Sequence, residues 1–461
     1  MSAIAPRRSA AIAAIAAACV ADPAMSADWP AWRADAARSA VVAEGPADGL
    51  RPAWSRRYGA FPTAFAYDDD AAIDRGPDPV AAGGMVFTTA PDDAIEALDA
   101  ATGARRWRVQ LLAPVRFAPT HADGRLYVGA DDGVLRCLDA ADGREIWRRR
   151  VAPGERRTVA HGRVVSAWPI SNAPLVAEGR VHVAAGVFGS DDIFAAAYDA
   201  RSGAPLWMQD DIGARGSQVV APAGCGAIAW GYPALSAGRL ILAAAGNPPA
   251  VLDAASGGMR GRPSLAAYNT WRWQISATGG WLHCGFMATA LNDLRTQVRS
   301  YVNADKPTLE RPPLLVGEQW WGVNDSILTR GRLSATRAKP ALAIDGQWWL
   351  GGRMPYPWSN QPQQAAIAVP EGLRLPDGFM LRELHAVAGD RLIASGPGAV
   401  VVLSLSEPPR LLAVCPVPGT VVRAIVADGR LFASNDLGEL HAFAAAGTAA
   451  PEPVRASPSG R

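Results

Sequence analysis

The sequence predicts an all-β chain folded as a single β-propeller of four-stranded antiparallel blades, eight favoured and seven possible. Three observations lead there. An internal repeat returns every 40 residues, each repeat is made of short strands and tight turns, and no long helical periodicity runs through the 461 residues.

The repeat is clearest in two segments. The first reads Gly84-Met85-Val86-Phe87, Ala97-Leu98-Asp99-Ala100, Thr102-Gly103 and Trp107. The second reads Gly124-Arg125-Leu126-Tyr127, Cys137-Leu138-Asp139-Ala140, Asp142-Gly143 and Trp147, with every anchor offset by 40. A third copy carries Gly179-Arg180-Val181, Tyr198-Asp199-Ala200, Ser202-Gly203 and Trp207. A fourth carries Gly238-Arg239-Leu240, Leu252-Asp253-Ala254 and Ser256-Gly257, but Gly261 stands where tryptophan is expected. Gly389-Asp390-Arg391-Leu392 and Gly429-Arg430-Leu431-Phe432 repeat the opening phrase near the C-terminus.

Each anchor has a physical task. Glycine supplies positive φ at the turn that opens a strand, and β-branched and aromatic residues make the strand that follows. In Asp-Ala-x-(Thr/Ser/Asp)-Gly the aspartate accepts backbone hydrogen bonds and the glycine takes the left-handed position. Trp54, Trp107, Trp147 and Trp207 are then the blade-packing residues. Burying one tryptophan removes about 150–250 Å² from water, a gross gain on the order of 4–6 kcal/mol. One four-stranded unit cannot bury both of its faces, so the units must stack, and radial stacking closes the array.

Units are expected near 61–110, 115–150, 165–212, 225–262, 268–295, 318–352, 382–415 and 420–445. Trp54 sits in a tryptophan strand with no unit before it, and the last unit ends at Phe443 with no such strand after it. The N-terminal strand is therefore expected to complete the C-terminal blade and close the ring. Residues 1–26 read as a signal peptide, 27–49 as a loosely ordered lead, 50–445 as the propeller and 446–461 as a disordered tail. Stretches 151–165 and 296–316 interrupt the rhythm and are expected as insertions on one rim.

The export signal rests on Arg7-Arg8, the apolar run 10–21 and the small-x-small site Ala24-Met25-Ser26. A lipid anchor at Cys19 and a twin-arginine signal are its alternatives. No later segment reaches 18 apolar residues, so no transmembrane segment is expected. The net charge of +2 is close to balanced and does not suggest a nucleic-acid surface. Lys306 and Lys339 are the only lysines, which leaves almost no candidate for Schiff-base chemistry. Cys137, Cys225, Cys284 and Cys415 lie far apart. They are read as isolated buried thiols, with Cys225–Cys284 as a conceivable disulfide.

The Ala-Leu-Asp-Ala-x-Thr-Gly…Trp phrases at 97–107, 137–147, 198–207 and 252–257 resemble the PQQ (pyrroloquinoline quinone) repeats. Such repeats build the propellers of the quinoprotein alcohol dehydrogenases and of the outer-membrane assembly factor BamB. The resemblance implies the fold and says little about activity. In the dehydrogenases it implies PQQ near the axis under an adjacent Cys-Cys disulfide, above a tryptophan floor, with Ca²⁺ or a lanthanide held by Glu, Asn and Asp. This sequence has no adjacent cysteines and no stretch that aligns with those ligands.

Arg156, Arg157, Trp168 and Asn172 lie in the first interruption, and arginines beside tryptophan can hold an anionic or sugar-like ligand. Trp271 and Trp273 are stacking candidates in a divergent, tryptophan-rich half. Asn324-Asp325 is a turn or an isolated metal or base pair. Asp68-Asp69-Asp70 with Asp74 and Asp78 reads as a solvated acidic loop, with calcium as the alternative. Of each Trp-Trp pair, 320–321 and 348–349, one ring is expected to face away from the local core. The six histidines are scattered without metal spacing, and no nucleophile elbow or phosphate loop is present.

No catalytic residue and no metal site is therefore assigned. Three functions remain open: an exported non-catalytic scaffold that binds a protein or small ligand in the cell envelope, an oxidoreductase using PQQ with Ca²⁺, and a carbohydrate-binding or carbohydrate-active propeller. The chain is expected to be periplasmic or secreted, and monomeric.

Overall fold

The computed structural model describes residues 28–63, 74–160, 162–187, 192–210, 212, 229–244, 248–263, 274–284, 287–299, 313–317, 319–324, 326–334, 341–350 and 364–445. Among them there is no helix. Eight sheets follow one another around a ring, each with four antiparallel strands ordered from the axis outward. The eight blades span 80–110, 120–150, 175–209, 234–261, 275–299, 314–366, 383–416 and 421–445. Two sheets gain a parallel fifth strand: Val41–Val42 joins blade 7, and Gln364–Ala366 joins blade 6.

The ring closes as the sequence predicts. Leu50–Arg57 is the outermost strand of blade 8 and pairs antiparallel with Glu439–Ala445, placing Trp54 opposite Ala442. Every repeat tryptophan then does the same thing. The Trp54 indole N–H donates to Ala100 O in the next blade at 3.0 Å, Trp107 to Ala140 O at 2.9 Å, Trp147 to Ala200 O at 3.3 Å, and Trp207 to Ala254 O at 3.0 Å. The acceptor sits in the Asp-turn of the neighbouring unit. The turn glycines must be glycine twice over. Gly103 has φ +70°, and a Cβ there would stand 2.6 Å from the Trp54 ring.

Two expectations change. Trp320 and Trp321 are both buried, although they point to opposite faces. A blade in a ring has a neighbour on each side: Trp320 packs with Ala288 of blade 5, and Trp321 joins the core shared with blades 7 and 8. Stretch 296–316 is not one insertion either, because Gln297–Arg299 is blade 5's own outer strand and Leu314–Val316 opens blade 6. Cys137 and Cys415 are buried thiols, and Cys284 is buried in blade 5. Cys225 lies outside the described residues.

The lead is packed, not loose. Trp29 bridges to Ala81 of blade 1, and Pro30 O accepts from His121 N of blade 2. Ala36 O accepts from Leu235 N, Ala37 O from Ala277 N, and Ala40 O from Val387 N, in blades 4, 5 and 7. Ala47 N then donates to Gly429 O of blade 8. Between Trp29 and Ala47 the chain makes one lap of the bore, in blade order, before entering blade 8. Unpaired edges of the innermost strands supply the partners, which a composition-based reading of an Ala/Asp/Gly-rich stretch does not register.

Candidate functional site

Among the described residues, two places gather side chains that could act: the axial mouth, where the innermost strands begin, and the rim insertion between blades 2 and 3.

At the axis the lead supplies Trp32, Arg33 and Arg38, all buried. Trp32 stacks on Tyr232 with ring centroids 4.1 Å apart and planes 12° from parallel. The Tyr232 hydroxyl donates to Asp78, and Arg423 Nε donates to the other oxygen of Asp78 at 3.0 Å. Burial and the neighbouring Asp78 carboxylate push the Tyr232 hydroxyl far above its usual range. For Arg423, burial works against the charge, and Asp78, Tyr232 and Glu383 together outweigh it. Arg116 bridges Asp131 and Asp74 at 2.7 and 2.6 Å. Burial raises the Asp131 carboxyl to about 6 against the pull of Arg116. Asp74 and Asp78 are thus buried ion-pair partners, not part of a solvated loop. They lie where blade 1 begins at the axis, with arginines of blades 8 and 2 turned toward them. Asp68, Asp69 and Asp70 lie outside the described residues.

The cavity left there, lined by Trp32, Arg33, Asp78, Gln274, His385 and Arg423, has a volume of about 30 Å³. That is room for one or two waters. A planar three-ring quinone needs a pocket on the order of 300 Å³ or more. No group of three or more His, Cys, Asp or Glu among the described residues is placed to hold a metal. The described residues at the axis therefore do not fit PQQ with its metal.

At the rim, Arg157–Ala160 and Arg163–Ser166 form a two-stranded hairpin outside the blades. Its base is tied to blade 2 by the Ser166 N to Asp131 O bond, and Arg163 ion-pairs with Asp93 of blade 1. Between hairpin and blade 2 lies a groove of about 360 Å³, lined by Arg136, Arg148, Arg150, Arg156, Arg157, Asp132 and Glu155, with Leu112 and Val164 at its lip. The Arg156 guanidinium lies 5.9 Å from the Trp168 ring centre. Leu112, Val159 and Val164 are exposed by 92%, 75% and 61%.

The structure thus gathers Arg156, Arg157 and Trp168 at one place. Asn172 is elsewhere: it is buried where blade 3 begins at the axis, and its amide nitrogen donates to Gly231 O of the blade 4 approach at 3.2 Å. Asn324 ends a strand of blade 6, while Trp271, Trp273 and Asp325 lie outside the described residues. Trp348 is buried against Trp321 with Arg330 over both rings. Sequence reasoning missed Arg136, Arg148 and Arg150. A signal was present, since Arg148 and Arg150 share a strand face beside the interruption.

Eight ringed sheets carrying the Asp-turn/tryptophan repeat make this chain an eight-bladed β-propeller. Within it, residues 30–168, less than half the chain, match the family described as outer membrane protein assembly factor BamB. Two solved structures share the fold. The quinohemoprotein alcohol dehydrogenase of Comamonas testosteroni is 14% identical, with a TM-score of 0.56 over 94% of this chain and 82% of that one. The alcohol dehydrogenase ADHIIG of Pseudomonas putida HK5 is 14% identical, with a TM-score of 0.57 over the same shares. BamB of Moraxella catarrhalis is 14% identical with a TM-score of 0.38, over 86% of this chain and 98% of that one. No curated protein matches the chain in sequence.

Proposed function

We propose that this chain is an exported, non-catalytic propeller that binds a protein or ligand partner in the cell envelope. One observation supports the reading: among the described residues, the lead packs against the innermost strands and into the axial mouth. Trp32 stacked on Tyr232, with Arg33 and Arg38 also buried, takes up space at the axial mouth. Recognition then falls to the rim, where the inserted hairpin presents exposed Val159 and Val164 beside arginines. The match of residues 30–168 to a family of assembly factors agrees with such a role. In this reading residues 1–26 direct export, with lipidation at Cys19 as the alternative, and the mature chain is periplasmic or secreted.

A photo-crosslinking residue at position 159 of the full chain, exposed to an envelope fraction, tests this. The reading expects one discrete adduct from position 159 and none from position 412 on blade 7, which is also exposed. The same adducts from both positions, or none, contradict it.

A further inference from the structure

We propose that the groove under the inserted hairpin is a binding site for a small polyanion, with Arg136, Arg148 and Arg150 on one wall and Arg156 and Arg157 on the other. The repeat itself supplies the argument. In blade 1, Glu96 stands opposite Arg108 across the two outer strands, and Arg108 Nε lies 3.1 Å from Glu96 Oε1. Forty residues on, the same two positions of blade 2 hold Arg136 opposite Arg148. A matched pair has become a like-charge pair, which is unfavourable across a sheet.

The surrounding carboxylates do not restore the balance. Asp132 pairs with Arg136, while Glu145 stands 3.8 Å from Arg136 and 3.6 Å from Arg148. Glu155 is shared between Arg157 at 2.7 Å and Arg150 at 3.4 Å. Five lining arginines still face only three carboxylates, Asp132, Glu145 and Glu155. An anion between the two walls removes the repulsion. Guanidinium forks match the paired oxygens of carboxylate and phosphate, and the Trp168 ring holds Arg156 from one side. At about 360 Å³ the groove suits a molecule bearing several such groups.

The test is calorimetric titration of the full chain with tripolyphosphate and, separately, with citrate. We expect one-to-one binding of at least one of them, weakening as salt rises. Tripolyphosphate alone assigns a phosphate ligand, citrate alone a polycarboxylate, and both a polyanion of either kind. Arg148→Glu rebuilds the blade 1 type of pair at an exposed position, so it folds and weakens binding about tenfold or more. Glu155→Gln frees two arginines and tightens binding. Absence of binding at about 1 mM of either anion, or binding unaltered in both variants, overturns the proposal. Neither outcome bears on the hairpin crosslink, so this proposal and the scaffold reading fail separately.

Discussion

Leu294 of blade 5 reaches over Gly261 of blade 4, at a junction where the preceding blades place a tryptophan over a turn glycine. A Cβ on Gly261 would stand 3.5 Å from Leu294 Cδ1. In blades 8, 1, 2 and 3 a tryptophan reaches over to a turn glycine of the next blade. Between blades 4 and 5 the sizes are exchanged: Gly261 takes the tryptophan place, and Leu294, with φ +56°, takes the glycine place. Leu294→Gly relieves the backbone strain and loses the burial. The second effect is larger, so thermal unfolding should show a net loss of roughly 1–2 kcal/mol.

The wedge contact can be separated from backbone strain by two glycines of similar φ. Gly124 (φ +70°) has open space at its Cβ position, while a Cβ on Gly203 (φ +67°) would meet the Trp147 ring at 2.7 Å. Gly124→Ala should cost about 1 kcal/mol from φ alone. Gly203→Ala should cost distinctly more, by roughly 1–3 kcal/mol of overpacking. Equal losses in urea unfolding would show that the ring does not press on the turn.

Trp54 carries both ring closure and the wedge onto blade 1. Trp54→Ala should destabilise by about 3–5 kcal/mol. Ser55→Ala, its exposed neighbour on the same strand, should fall within about 0.5 kcal/mol of the parent. Hydrogen exchange should then show blade 8 opening before blade 3.

Acid should unfold the protein early. Burial lowers His182 and His283 to about 4, with Arg180 and Arg33 adding to the effect. The unfolded chain takes up those protons near pH 6.5 and the folded one does not. Stability is therefore full above about 6.5 and falls as pH drops toward 4. Asp131 acts in the opposite sense: its raised carboxyl favours the folded state as pH falls through about 6. Two histidines against one carboxyl leave a net loss. Thermal melts of His182→Gln should show a shallower acid limb than the parent protein.

The ring was legible in the sequence because its signals are local. An Asp-turn, its glycine and its tryptophan lie within about ten residues, so four copies align by eye, and the unpaired Trp54 strand points to closure. The axial residues were not legible. Asp78 and Arg423 are 345 residues apart and meet only because the ring closes. Trp32 reaches Tyr232 only because the lead threads the bore, and nothing in a short Ala/Asp/Gly-rich stretch signals a lap around a channel. The rim groove falls between these cases. Arg156 and Trp168 stand out as an interruption, while Arg136 and Arg148 become conspicuous once blade 2 is set against Glu96 and Arg108 of blade 1.

We propose that the lead packed into the axial mouth leaves this propeller without a quinone site. Calorimetric titration of the full chain with PQQ and Ca²⁺, followed by dye-linked alcohol oxidation on the same sample, tests it most directly. The account predicts no metal-dependent binding and no turnover. Tight Ca²⁺-dependent binding with alcohol oxidation would contradict it and make the chain a quinoprotein dehydrogenase.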